Sequence, residues 1–242
     1  MENIENQNQF IENDNDQENK DKRFGQFAIL ICISILIIVI LSIIMLNQKD
    51  KPHREKMKRL SDSIAKVEAI KEEEKVKEEK LKNDSIINVS EKLFTKKYDE
   101  FKNIYWIKPK NSPKYVNMNG CYCYFQMNQD STVSNFRFVF QYFAEDWLFI
   151  DRMIFNIDGE NTTIIPDMNT DHDGNIWEWC DVSVDKYSST NESFILKLAN
   201  AKSVKVKLIG DNNYYKIKTL SEQQIKSIKE TYNYYKALGG EF

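Results

Sequence analysis

Hydrophobic and polar positions change their pattern several times along the chain. Residues 1–23 are mostly Asn, Gln, Asp and Glu, with almost no apolar side chains. So little apolar surface cannot offset the entropy of ordering, and a disordered acidic tail is predicted. Residues 28–46 then form a 19-residue run without a charge, AILICISILIIVILSIIML, with Ser34 and Ser42 as its polar members. Coiled as a helix the run rises roughly 28 Å, close to the hydrocarbon thickness of a bilayer. Phe24 and Phe27 sit where interfacial rings would, so a membrane span is predicted over 24–47. From 48 to 84 the pattern is that of a charged helical stalk. Met57, Leu60, Ile64 and Val67 form a short heptad seam, but Lys71, Glu74 and Glu78 take the next seam positions. Two heptads are too few for a lasting coiled coil, which leaves a solvated spacer with weak self-association at most.

Beyond residue 85 a globular domain begins. A helix is expected over 90–101, with Leu93, Phe94, Tyr98 and Phe101 near one face. The period then becomes two, the signature of half-buried strands. Strands are expected at 104–109, 121–127, 135–143, 147–157, 161–165, 176–184, 204–209 and 214–219. Cys121, Cys123, Phe125 and Met127 share one face of their strand, and Tyr122, Tyr124 and Gln126 the other. Asn119-Gly120 and Asp158-Gly159 are turn signals. A short helix is expected at 192–200. A final helix begins at Ser221, where Gln224 completes a capping box, and ends at Gly239-Gly240. Consecutive strands with short turns give a mostly antiparallel sheet. The predicted class is therefore α+β: an N-terminal transmembrane helix, a charged stalk, and a β-sandwich-like domain over 85–242 with a C-terminal helix.

The segments DWLFI at 146–150, NAKSVKVKLIG at 200–210 and TLSEQQIKSIKETYNYYKALGG at 219–240 resemble an uncharacterised β-rich domain of bacteria and phages. That domain occurs in small exported, lipid-anchored or membrane-tethered proteins. The resemblance covers roughly 95–240 and rests on strands, a turn and the terminal helix. It implies an architecture and no catalytic residues.

Charge sharpens this division. The 34 basic and 37 acidic residues nearly balance, which argues against nucleic acid as a partner. Residues 1–26 carry net −4, residues 47–83 net +3 and residues 84–242 net −2. Four Trp, twelve Tyr and eleven of fourteen Phe lie in the last segment, so only there can a large core form. The acidic n-region and the absence of a small-x-small site argue that the anchor is retained. Ile31 before Cys32 does not fit a lipidation site. Lys20, Lys22 and Arg23 flank one end of the span, and six basic residues from Lys49 to Arg59 flank the other. By the positive-inside rule the two flanks oppose each other. The export habit of N-terminal single anchors favours the domain outside the cytoplasm, and the three domain cysteines favour a reducing compartment.

Candidate chemistry is sparse. Asn169, Asp171 and Asp173 fit positions 1, 3 and 5 of a calcium loop, with Gly174 at position 6 and Ile176 at position 8. Position 12 should be a bidentate Glu and is Cys180, so an Asp-rich surface turn competes with a calcium site. Cys121, Cys123 and Cys180 allow three readings: core thiols, one disulfide, or part of a metal site. Trp177 and Trp179, two apart beside the acidic loop, are the candidate ligand-binding residues for a glycan or protein partner. They would serve equally as core. Two histidines and seven glycines supply no nucleophile elbow, P-loop or dinucleotide fingerprint, so no enzyme and no cofactor are expected. The functional reading is a membrane-tethered binding module. A calcium-dependent or hydrolytic domain using 167–181, or a structural envelope component, are its alternatives.

Overall fold

The computed structural model describes the backbone from residue 2 onward and the side chains of 34–43, 45 and 55–242. Helix α1 (Glu2–Leu93) precedes ten strands and two further helices. The chain divides into two compact units, Met1–Lys75 and Val76–Phe242. The side chains of the expected tail, 1–23, and part of the expected span, 24–47, lie outside the described residues. Among the described residues, no helix is long and apolar enough to cross a membrane. The four seam residues Met57, Leu60, Ile64 and Val67 are each about half exposed on α1.

The second unit is α+β. Strands β1 (Phe94–Asp99), β2 (Ile104–Pro109), β3 (Gly120–Met127), β4 (Val133–Ala144), β7 (Asn169–Asp173) and β8 (Asn175–Ser183) build a six-stranded sheet in the order β1-β2-β3-β4-β8-β7. Strands β5 (Arg152–Ile157), β6 (Glu160–Ile164), β9 (Val204–Ile209) and β10 (Tyr215–Thr219) form a four-stranded sheet, β10-β9-β5-β6. Every pairing is antiparallel. Helices α2 (Glu192–Asn200) and α3 (Glu222–Ala237) pack on each other and α3 lies on β3.

Period-two alternation selects the inner face of the large sheet. Cys121, Cys123 and Phe125 of β3, Phe138 and Phe140 of β4, and Cys180 of β8 all point into the core. The facing small sheet contributes Phe155, whose ring meets Phe138 at 6.0 Å and Phe140 at 6.1 Å, so the two sheets pack face to face. Phe194 of α2 wedges between Phe138 and Phe155. Tyr234 and Tyr235 of α3 pack edge-on against Phe125. Cys121, Cys123 and Cys180 are all buried and free. Burial pushes the Cys180 thiol up to about 12, and the other two also rise by burial.

Three expectations are corrected. The helix expected over 90–101 ends at Leu93. Residues 94–99 instead pair rung for rung with β2, and Tyr98 packs on Tyr105 at 5.1 Å. The segment expected as one strand over 147–157 is a strand only from Arg152. Its first part is shaped by the buried Glu178, whose carboxylate accepts the backbone N–H groups of Leu148 (2.8 Å), Phe149 (3.0 Å) and Ile150 (2.7 Å). Those bonds hold Phe149 at φ +52°, a conformation a bulky residue adopts only under such constraint. Gly210 is required here, because a Cβ would overlap the Leu148 carbonyl. Lastly, the turn expected at Asn119-Gly120 does not form there. Gly120 opens β3 after a long connection, 110–119. By contrast Asp158 (φ +49°) and Gly159 (φ +99°) make the primed hairpin turn between β5 and β6.

Candidate functional site

The alternation that sends Phe and Cys inward sends a different set outward. On the outer face of the large sheet lie Trp106 and Lys108 of β2, Tyr122 and Tyr124 of β3, and Arg137, Val139 and Gln141 of β4. Trp177, Trp179 and Asp181 of β8 complete it. Register places them in rows: Tyr124 beside Arg137, Tyr122 beside Val139 and then Asp181, and Gln141 beside Trp179. Tyr122, Val139 and Trp177 are buried yet stand apart from the main core cluster. They belong to a second, outer set of packed side chains.

Asp181 organises its charges. Arg137 Nε donates to Asp181 Oδ1 at 2.7 Å, and Arg137 Nη2 donates to the Asp181 carbonyl at 2.6 Å. Tyr124 donates its hydroxyl to Asp181 Oδ2 at 2.6 Å. Both tyrosines, Tyr122 and Tyr124, are pushed well above the usual phenol range by burial. The Asp181 charge adds to this, and at Tyr124 so does the bond to that carboxylate. Burial lowers the Lys108 ammonium, against the pull of Asp181. Lys108 Nζ lies 4.5 Å over the Tyr122 ring and donates to the Pro113 carbonyl at 3.0 Å. Trp106 meets Tyr124 edge-on at 5.4 Å and donates its indole N–H to Asp99 at 3.3 Å.

The connection 110–119 acts as a strap at one end of this face. Lys108 holds it at Pro113. Asn119 clamps both backbone groups of Phe143, donating to the carbonyl (3.3 Å) and accepting the N–H (3.2 Å). On the α3 side, Ser227 donates to Asn111 at 3.2 Å. Pro113 presses so closely on Gly120 that an added Cβ would stand 2.5 Å from the proline ring and 2.8 Å from Gln141 Oε1. Between the strap and the first turns of α3 lies a cavity of about 700 Å³. Asn111, Ser112, Asn119, Gln223, Gln224 and Ser227 line it, together with the rings of Tyr115 and Tyr122. Two buried polar atoms on the outer face have no hydrogen-bond partner: Gln141 Oε1 and Trp177 Nε1. Each is a buried group of the kind that costs free energy unless something pairs with it.

The residues expected to matter are placed as follows. Trp177 and Trp179 are together on the outer face, Trp177 buried and Trp179 half-buried. Asn169, Asp171 and Asp173 lie along the edge strand β7 and not around a loop. Asn169 pairs with Trp179 and Asp171 with Trp177, which brings the acidic strand beside the tryptophans. All three are exposed, and among the described residues no group of three or more His, Cys, Asp or Glu gathers where it could hold a metal ion. Glu178 faces the other way, into the core. Lys108, Tyr122, Tyr124, Arg137 and Gln141 were not singled out by sequence. The alternation of tyrosines against cysteines in 121–127 was the available signal for two of them. No family model, no curated protein and no solved structure matches the chain.

Proposed function

We propose that the chain is a single-pass, membrane-tethered, non-catalytic binding module whose ligand surface is the outer face of the six-stranded sheet. One observation carries the reading. This sheet buries one face in the core and packs a second aromatic set on the other, with polar tips, an Arg137–Asp181–Tyr124 network and an adjoining cavity. Aromatic rings with polar tips suit ligands that need both apolar contact and hydrogen bonds. The tether reading is supported by the 19-residue uncharged run. From Ile35 to Met45 every described side chain but Ser42 is apolar and exposed along α1, a stretch that hydrocarbon would cover. The resemblance of 95–240 to domains of exported and tethered proteins agrees with it. The domain is assigned to the outside of the cell membrane.

Two experiments test this. Full-length chain in nanodiscs is presented with envelope protein, glycan and lipid fractions, beside a variant carrying Trp106→Ala and Trp179→Ala. Retention that falls in the variant while its melting is unchanged supports the face, and equal retention removes it. Trypsin added to intact cells should release a fragment starting within 71–82 and leave the acidic tail protected. Cleavage of the tail with the β-domain intact would place the module in the cytoplasm.

A further inference from the structure

Resting on the tether in that reading, we infer that the outer face of the four-stranded sheet docks on an anionic lipid bilayer. Alternation places Arg152 and Ile154 of β5, Lys205 and Lys207 of β9, and Tyr215 and Ile217 of β10 on this face. Arg152, Ile209 and Tyr215 form one row, and Ile154, Lys207 and Ile217 the next. The alternate residues Phe155, Val206 and Leu208 point inward and are fully buried. Helix α2 meets this sheet through Phe155, from the inner side.

Charge singles the face out. Residues 202–218 hold five lysines and one aspartate, Asp211, in a domain of net charge −2. Among the described residues Arg152, Lys205 and Lys207 make no ion pair. Arg152 is half-buried and its Nε–H has no acceptor, so its guanidinium is left for an anion from outside. Phosphate matches the fork of that group. Asp158, at one end of the face, is spent on the backbone N–H groups of Lys202 and Ser203. Lysines on an edge strand can serve simply to guard it against pairing. Here β9 and β5 are the two central strands of the sheet, so that explanation does not reach Lys205, Lys207 or Arg152.

The partner must also take apolar surface. Beside those cations Ile217 is 61% and Tyr215 54% exposed, and Lys207 Nζ lies 4.2 Å over the Tyr215 ring. A soluble polyanion would answer the cations and leave Ile217 and the ring in water. A bilayer of anionic lipid takes both: headgroup phosphates meet the cations, and Tyr and Ile enter the interface beneath them. The tether holds a bilayer at high effective concentration, so contacts too weak to recruit a free domain suffice. The two sheets pack face to face. A domain resting on its small sheet therefore turns the face of Trp106, Tyr124 and Arg137 away from the lipid and leaves it open.

The test uses the full chain in nanodiscs, one set of phosphatidylcholine alone and one with about one-third phosphatidylglycerol. Lysine acetylation is read residue by residue by mass spectrometry. Lys205 and Lys207 should label about 3-fold or more slowly in the anionic discs, while Lys197 and Lys229 label alike in both. About 1 M NaCl, which shortens the Debye length to about 3 Å, should restore the lost labelling. A variant carrying Tyr215→Ser and Ile217→Ser, both exposed and outside the core, should lose at least about half of the protection. Equal labelling in the two discs, or protection that the serine variant leaves whole, overturns the docking. Protection that appears only with an added envelope protein fraction overturns the choice of lipid. A chain that stays in the discs at high salt but was never protected keeps its tether and loses this face. A chain that salt washes out of the discs, after Lys205 and Lys207 were protected, loses the tether and keeps the face.

Discussion

The two faces of the six-stranded sheet are built from side chains of similar size and each buries some of them, the inner face nearly all and the outer face fewer than half, yet they are different surfaces. On β3 the inner Phe125 is fully buried and the outer Tyr122 is 6% exposed. The inner rings of Phe125, Phe138 and Phe140 end in carbon and interlock with α2, α3 and Phe155, with Tyr142 the hydroxyl-bearing ring beside them. The outer rings of Trp106, Tyr122, Tyr124, Trp177 and Trp179 each carry a polar atom, and among the described residues Tyr124 meets Asp181, Trp106 meets Asp99 and the buried Trp177 Nε1 meets no partner. Burial alone therefore does not separate core from site. The faces differ more in how many of their rings carry polar tips and in the charged groups those tips meet.

Removing an inner ring should have the largest effect. Phe125→Ala takes away contacts to Phe136, Tyr234 and Tyr235 and should cost about 3–5 kcal/mol. Thermal unfolding followed by circular dichroism should then fall by about 10 °C or more. A fall no larger than that of Trp179→Ala would erase the distinction between the faces. Glu178→Gln comes next. The amide keeps one accepting oxygen but turns an NH₂ toward a backbone N–H, so about 2–3 kcal/mol is expected. A melting point within a degree of the native protein would mean the 148–150 backbone does not depend on that carboxylate.

On the outer face, Arg137→Met leaves Asp181 with only the Tyr124 hydroxyl. Both partners of the ion pair keep some solvent, 24% and 35% exposed, so the cost should be about 1–2 kcal/mol, smaller than either inner change. The smallest effect concerns pH. Burial and then Glu192 push the Tyr232 phenol to about 12, above its ordinary 10. With the folded value raised, the contribution is present below pH 10 and is lost as pH climbs toward 12. Tyr232→Phe should flatten that part of the stability profile. An alkaline ultraviolet titration should show Tyr122, Tyr124 and Tyr232 among the last phenols to ionise.

The same comparison explains what could be read along the chain. The strand at 204–209 was legible because Val204, Val206 and Leu208 alternate with Lys205 and Lys207. The capping box at Ser221 was equally local, and both of its bonds are made. The first part of 147–157 was not legible, because the groups that decide it are three N–H groups answered by a carboxylate some thirty residues away. Phe94, Tyr98 and Phe101 mimic a helical stripe, and only the pairing with β2 reveals a strand. Strand β7, exposed along its whole length, has no hydrophobic signature at all. At the site, the shared face of Trp177 and Trp179 followed from spacing. Their companions Arg137, Gln141 and Lys108 did not, since the neighbour order β3-β4-β8 is a property of the sheet and not of any one strand.

The junction at Leu93 and Phe94 has a mechanical consequence. Helix becomes edge strand with no residue between them, and the joint is fastened. Lys110 donates its backbone N–H to the Leu93 carbonyl at 3.0 Å and its ammonium to the Lys92 carbonyl at 2.7 Å, while Phe94 lies against Tyr234 at 5.2 Å. Without a flexible coupling, a sideways pull on the last turns of α1 becomes tension on the rung between Phe94 and Pro109. The first event under load should then be the peeling of β1, with the strap-side cavity and the two packed sheets untouched. Load entering through α1 would thus open this collar before it disturbed either face of the sheet.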